Sequence, residues 1–291
     1  MILSHARSGS TFLTDLLNSH PCVSNSGEVP ISPATIDVSH TIPMNTTKFT
    51  TITECLKQGN TPTFGLKNHA TDILQKAKLT LEGFGELLRR YNVKVILYMR
   101  RNLLEEFISL RNLGVKKVPM FCHENSTEIA ATRRGNLEFK CNPKFMNQMI
   151  HNNNVNINDL ETHIHRRMTE EVTWFKQMSY LNQNYGIKGI IHSPVVTLYH
   201  AYCFLVLYVP YEQLLDNFEE SSPKILEFLD IDSSVKLTTN LVKRFPKNIS
   251  SLVHNHLEVE KLLPQMCDYC SSFLHQGLSG VPPQFASIKL L

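Results

Sequence analysis

Apolar positions along the chain fall into strand-like runs and helix-like stripes. Ile2-Leu3 leads through Arg7-Ser8-Gly9-Ser10-Thr11 into Phe12, Leu13, Leu16 and Leu17 at helical spacing, which predicts a strand, a tight loop and a helix. Val93 to Met99 is a dense apolar and β-branched run, as in a strand covered on both faces. It ends in Arg100-Arg101. A helix carrying Leu104, Phe107, Ile108 and Arg111 then follows, with Asn102 and Glu105 spaced as a capping box. Leu205 to Val209 predicts a further core strand, and Phe64 to His69 a short one with Lys67 near its end.

Helical rhythm recurs over residues 72–91, broken by Gly83 and Gly85, and again from Asp159, a predicted cap, to just before Gly186. In that long helix Ile164, Met168, Val172, Phe175 and Ser179 form the stripe, and His163 and His165 are expected on its solvated face. Shorter helices are predicted over Pro223 to Leu229 and through Leu252, His256, Val259 and Leu263, closed by Pro264. Pro21, Gly27 and Pro30 break the first helical pattern and put Glu28 on a loop. Residues 32–63 and 114–158 have little periodicity and few apolar anchors, which suits surface segments that cover an acceptor.

The window from Ile190 to Val209 is the most apolar, but His192, Ser193, Pro194 and His200 interrupt it, so no transmembrane segment is expected. At 291 residues, with 42% hydrophobic and 19% charged positions, the chain predicts one large α/β domain spanning 1–291. A net charge of +3 suits an anionic small molecule and is too small to argue for nucleic acid. Seven scattered cysteines do not read as a disulfide framework. Cys267-Asp-Tyr-Cys270 lacks a second pair, so free thiols are expected there, against zinc or redox use. No secretory leader precedes the first strand, which predicts a cytoplasmic protein if Met1 is the true start, and a Golgi-lumenal one if an N-terminal anchor is missing.

The loop from Arg7 to Thr11 has the chemistry of an anion cradle. The first amides of a helix lack intrahelical partners and carry the positive end of its dipole. Gly9 admits a close ligand, while Ser8, Ser10, Thr11 and Arg7 add donors. A Walker A loop would need a second glycine and a lysine that are absent, which weighs against an ATPase or kinase. The alternative is a serine-rich turn. Arg101 and Ser109 offer a second phosphate site, since Ser109 lies about two helical turns beyond Asn102 on the same face. The alternative there is a surface arginine beside a solvated serine. Lys243, Arg244 and Lys247 form a basic loop that suits closure over an anion.

In this order the motifs resemble the sulfotransferases that use 3′-phosphoadenosine 5′-phosphosulfate (PAPS), closer to their carbohydrate and bacterial branches than to the phenol and steroid branch. Arg7 to Leu13 is similar to the family's 5′-phosphosulfate loop, His20-Pro-Cys-Val with Gly27-Glu28 to the segment after it, and Arg101-Asn-Leu-Leu with Ser109 to its 3′-phosphate motif. Gly65-Leu-Lys67, Tyr211-Glu-Gln-Leu and Lys243 to Asn255 agree further. The resemblance implies a P-loop-type three-layer α/β fold with a central parallel sheet flanked by helices. It also implies metal-free transfer of a sulfuryl group to an acceptor hydroxyl or amine, with a carbohydrate favoured.

By the same resemblance, Arg7, Ser8, Gly9, Ser10, Thr11, Phe12, Arg101, Ser109, Lys243, Arg244 and Lys247 hold the donor. Glu28 is the expected base, ahead of His5 and His69; Arg7 with the loop amides is expected to stabilise the leaving group, and Lys67 to contact the sulfuryl group or the acceptor. Residues 189–204 exceed the short connection of relatives and predict an insertion. The competing readings are a P-loop nucleotide kinase or other phosphotransferase, and an inactive nucleotide-binding homologue.

Overall fold

The computed structural model describes residues 1–6, 8–28, 55–56, 63–69, 74, 78–91, 93–116, 130–131, 138–139, 154–185, 206–239 and 249–274. Arg7, Lys243, Arg244, Lys247 and the expected insertion at 189–204 lie outside them, as does the side chain of Glu28. Two compact units are present, one made of Met1–Arg100, Glu170–Thr239 and Pro282–Leu291, the other of Arg101–Thr169 and Asn240–Val281.

The first unit is built on a parallel sheet of β1 (Ile2–Ser4), β2 (Val23–Glu28), β3 (Thr63–His69), β4 (Val95–Met99) and β7 (Val206–Pro210), in the order β2-β3-β1-β4-β7. Alternation along each strand divides its side chains between two faces. Ile2, Ile96, Tyr98, Leu207 and Val209 pack with Leu13, Leu16 and Leu17 of α1 (Ser10–Asn18), Leu214 of α5 (Tyr211–Asp216), and Ile225 and Phe228 of α6 (Phe218–Phe228). Leu3, Val95, Leu97, Met99, Val206 and Tyr208 pack with Phe84 and Leu88 of α2 (Leu81–Arg90) and Trp174, Met178 and Leu181 of α4 (Ile157–Tyr185). This is the α/β three-layer arrangement expected. Each apolar side chain sealed in it contributes about 1.5–3 kcal/mol, which is why the central strands read as unbroken apolar runs.

The second unit centres on α3 (Leu103–Lys116), the first half of α4 and α7 (His256–Met266), with a small antiparallel pair, β5 (Ala130–Ala131) and β6 (Glu138–Phe139). Its core joins Leu104, Phe107 and Ile108 to Leu160, Ile164, Val259, Leu263 and Phe273. The expected cap of α3 forms: Asn102 Oδ1 accepts the Glu105 amide at 3.0 Å.

Several expectations are corrected. Glu28 ends strand β2 rather than lying on a loop; β2 is an edge strand of mostly polar residues, so no apolar run marks it. Asn156, not Asp159, caps α4 by accepting the Asp159 amide at 3.1 Å. Pro264 lies inside α7 instead of closing it. His163 is buried, not solvated, against Glu106. Among the described residues two disulfides replace the expected free thiols, each with 5.2 Å between Cα atoms: Cys22–Cys55, which folding brings together across a separation of 33, and Cys267–Cys270, joined within one turn.

Candidate functional site

Parallel strands deliver their carboxyl ends to one edge of the sheet, where open α/β folds bind ligands. At that edge β1 runs into the loop before α1. Ser8 donates its amide to His5 O at 3.3 Å, Gly9 adopts φ +86° as the cap of α1, and Gly9 O accepts the amides of Phe12 and Leu13 at 2.8 and 3.4 Å. The amides of Ser10 and Thr11 thus start the helix without intrahelical acceptors, as an anion site requires. Ser8 is fully buried, and its hydroxyl has no hydrogen-bond partner among the described residues. A buried hydroxyl left without a partner costs about 1–3 kcal/mol, so the loop gains from a polar ligand.

Lys67 is brought to this loop. Its ammonium, on a side chain only 6% exposed, donates to Thr11 Oγ1 at 3.2 Å. Across β2 and β3 the register sets Glu28 opposite Lys67, so the two residues expected to act on acceptor and sulfuryl group are strand neighbours. His5 pairs through Nδ1 with Glu170 at 3.7 Å, and His69 closes β3 opposite Ser4.

Tyr211, which the sequence offers only as the start of the Tyr211-Glu-Gln-Leu match, lies against this loop, and Arg100, which the sequence reading did not propose for the site, lies against Tyr211. Tyr211 follows β7 directly, and its ring lies so close to Gly9 that a Cβ there would fall 2.4 Å from it. The Arg100 guanidinium covers the same ring at 4.3 Å, and Tyr98 and Phe12 meet it edge-on at 6.2 and 6.4 Å. Burial first, and then Tyr211, pushes the Tyr98 hydroxyl well above its ordinary pKa, so it remains a neutral phenol. The signal for Tyr211 was positional: an aromatic residue at a strand's carboxyl end, beside an edge that also carries the loop.

On the outer side of α1, a cavity of about 310 Å³ is lined by Phe12, Leu214, Leu237, Thr238 and Thr239 among others. Thr239 donates its hydroxyl to Asp15 at 2.6 Å and Thr238 its amide to Ser19 Oγ at 2.9 Å, which fixes this segment against the helix. Beyond α1, His20 is held as a neutral ring. The Cys22 amide donates to its Nδ1 at 3.0 Å, Nε2 faces Asp232 O at 3.2 Å, and burial lowers its pKa.

In the second unit, Arg101 precedes α3 and Ser109 lies two turns into it, both buried. On the same helix Glu106 is held by Arg167 through Nε at 2.7 Å and Nη2 at 3.2 Å, with His163 Nε2 at 3.4 Å. Among the described residues no cluster of three or more metal-ligating side chains occurs, and no helix is long and apolar enough to cross a membrane.

No family model and no curated protein matches the chain. Among solved structures it is similar to mouse sulfotransferase SULT7A1 complexed with PAP, at 14% identity and a TM-score of 0.34. That alignment covers 79% of this chain and 58% of the mouse protein, so the chain spans less than two thirds of that length.

Proposed function

We propose that the chain is a sulfotransferase that moves a sulfuryl group from PAPS to a hydroxyl or amine, a carbohydrate being the favoured acceptor, by in-line displacement without a metal. The observation that carries this reading is the β1–α1 loop, where a left-handed Gly9, a buried Ser8 hydroxyl without a described partner and the Lys67 ammonium on Thr11 converge. The 5′-phosphosulfate sits on this loop, held by Ser8, Gly9, Ser10, Thr11 and Arg7. As the bond from sulfur to the phosphate oxygen breaks, negative charge grows on the leaving phosphate, and the loop amides with Lys67 stabilise it.

Arg101 and Ser109 take the 3′-phosphate, and Lys243, Arg244 and Lys247 close over the nucleotide. The cavity beside Phe12 has the size and the mixed apolar and hydroxyl lining that an adenine base needs. Glu28 accepts the acceptor's proton, and its register opposite Lys67 supports that role. The disulfides Cys22–Cys55 and Cys267–Cys270 favour an oxidising lumen over the cytoplasm.

Calorimetry with adenosine 3′,5′-bisphosphate and with ATP tests the reading. Tighter binding of the bisphosphate is expected, because ATP has no 3′-phosphate for Arg101 and Ser109; preference for ATP would turn the assignment to a phosphotransferase. In sulfuryl transfer assays over a panel of sugar acceptors, Glu28→Gln should lower kcat by about 10²- to 10⁴-fold with nucleotide affinity unchanged. A kcat equal to that of the wild type would remove Glu28 as the base.

A further inference from the structure

We infer that Cys267 is a site of thiol–disulfide exchange whose state controls the start of α3. Of the four bonded cysteines among the described residues, Cys22, Cys55 and Cys270 are buried at 2%, 0% and 0% exposure, while Cys267 is only partly buried. A dithiol reductant therefore reaches Cys267 first. Its thiolate attacks the Cys267 sulfur, the bond to Cys270 breaks, and Cys270 departs as a thiolate that takes up a proton. The reductant's second thiol then attacks the mixed disulfide, releases Cys267 as a thiol and leaves the reductant oxidised. Two electrons and two protons pass to the protein.

Reduction leaves the unit folded, because the cross-link spans a sequence separation of 3, against 33 for Cys22–Cys55, and short closed loops restrict the unfolded chain least. Its effect is local and runs through one side chain. The Cys267–Cys270 turn, in which Cys270 donates its amide to Cys267 O at 3.1 Å, leads into a short 3-10 helix, Cys270–Leu274. Phe273 in that helix accepts a hydrogen bond from Asn102 Nδ2 at 2.8 Å, across 171 residues. The other end of the same amide caps α3 at Glu105. Asn102, the residue after Arg101, thus couples the disulfide turn to the first turn of α3, and Cys270 and Phe273 share a core with Leu103, Leu104 and Phe107.

Opening the disulfide loosens the turn, the Asn102 anchor and the first turn of α3. On the reading of Arg101 and Ser109 as the 3′-phosphate site, it also weakens nucleotide binding.

Treating the full chain with dithiothreitol, alkylating it and mapping its peptides should show Cys267 and Cys270 modified before Cys22 and Cys55. Amide hydrogen exchange at Glu105 and Glu106 should then rise about fivefold, as loss of one capping interaction implies. Asn102→Asp keeps the cap acceptor but cannot donate to Phe273, so it should exchange fast in both redox states, as should the Cys267→Ser, Cys270→Ser double variant. Earlier reduction of Cys22–Cys55, or unchanged exchange at residues 105 and 106 after reduction, would overturn the coupling. Adenosine 3′,5′-bisphosphate should bind about fivefold more weakly to the reduced protein. If it binds neither form, the nucleotide reading fails, while hydrogen exchange still decides the redox coupling.

Discussion

Gly9→Ala should weaken nucleotide binding and lower the melting temperature, because two independent costs fall on one methyl group. The backbone at φ +86° is left-handed, a region that costs an alanine about 1–2 kcal/mol. The new Cβ would also lie 2.4 and 2.5 Å from Cε2 and Cδ2 of Tyr211. Tyr211 cannot easily swing away, since Tyr98 and Phe12 border its ring and Arg100 stacks on it at 4.3 Å. Overpacking of this kind costs about 1–3 kcal/mol, so the loop shifts and its amides lose their aim. Calorimetry should show affinity lower by about 10²-fold or more, the equivalent of roughly 3 kcal/mol. Wild-type affinity and stability in this variant would show that the loop does not depend on contact between Gly9 and Tyr211.

Arg167→Ala should be the most destabilising single change in the second unit. Glu106 is 1% exposed and shares both carboxylate oxygens with the Arg167 guanidinium. Removing one partner of a buried pair strands the other charge and costs about 3–5 kcal/mol. The double variant Glu106→Leu, Arg167→Met should recover most of the stability, because replacing a buried pair with apolar groups of similar volume is nearly neutral. Urea unfolding of the single and double variants separates these outcomes. Equal destabilisation in both would mean that volume, not charge, dominates the site.

The form of the loop before α1 was legible in the sequence because its signals are local. The apolar run, the glycine, the hydroxyls and the amphipathic helix all fall within residues 2–17, and the structure forms them as strand, left-handed turn and helix. Asn102 as the cap of α3 was legible for the same reason. Glu28 was placed on a loop because Val23-Ser-Asn-Ser-Gly-Glu28 has no alternation, and an edge strand paired on one side does not need it. Tyr211 and Arg100 escaped notice as site residues because their importance lies in contacts with Gly9 and with each other, across more than a hundred residues.

Helix α4 marks the boundary between the two kinds of information. Its existence and length follow from helical rhythm, but the stripe read through Val172, Phe175 and Ser179 is not the buried row. Leu160, Ile164, Trp174, Met178 and Leu181 face inward, and between them the row passes through Arg167 and Glu171. Those charged residues hid it from a hydrophobic reading. They are tolerated because Glu106 pairs with Arg167 and the Tyr208 hydroxyl reaches Glu171 at 3.4 Å. By itself the sequence determined the elements whose signal is local: the apolar central strands, the loop before α1 and the cap of α3. Which polar groups could be buried, that Cys22 joins Cys55 and which ring could lie against Gly9 were decided only by the tertiary structure, because each depends on a partner distant in the chain.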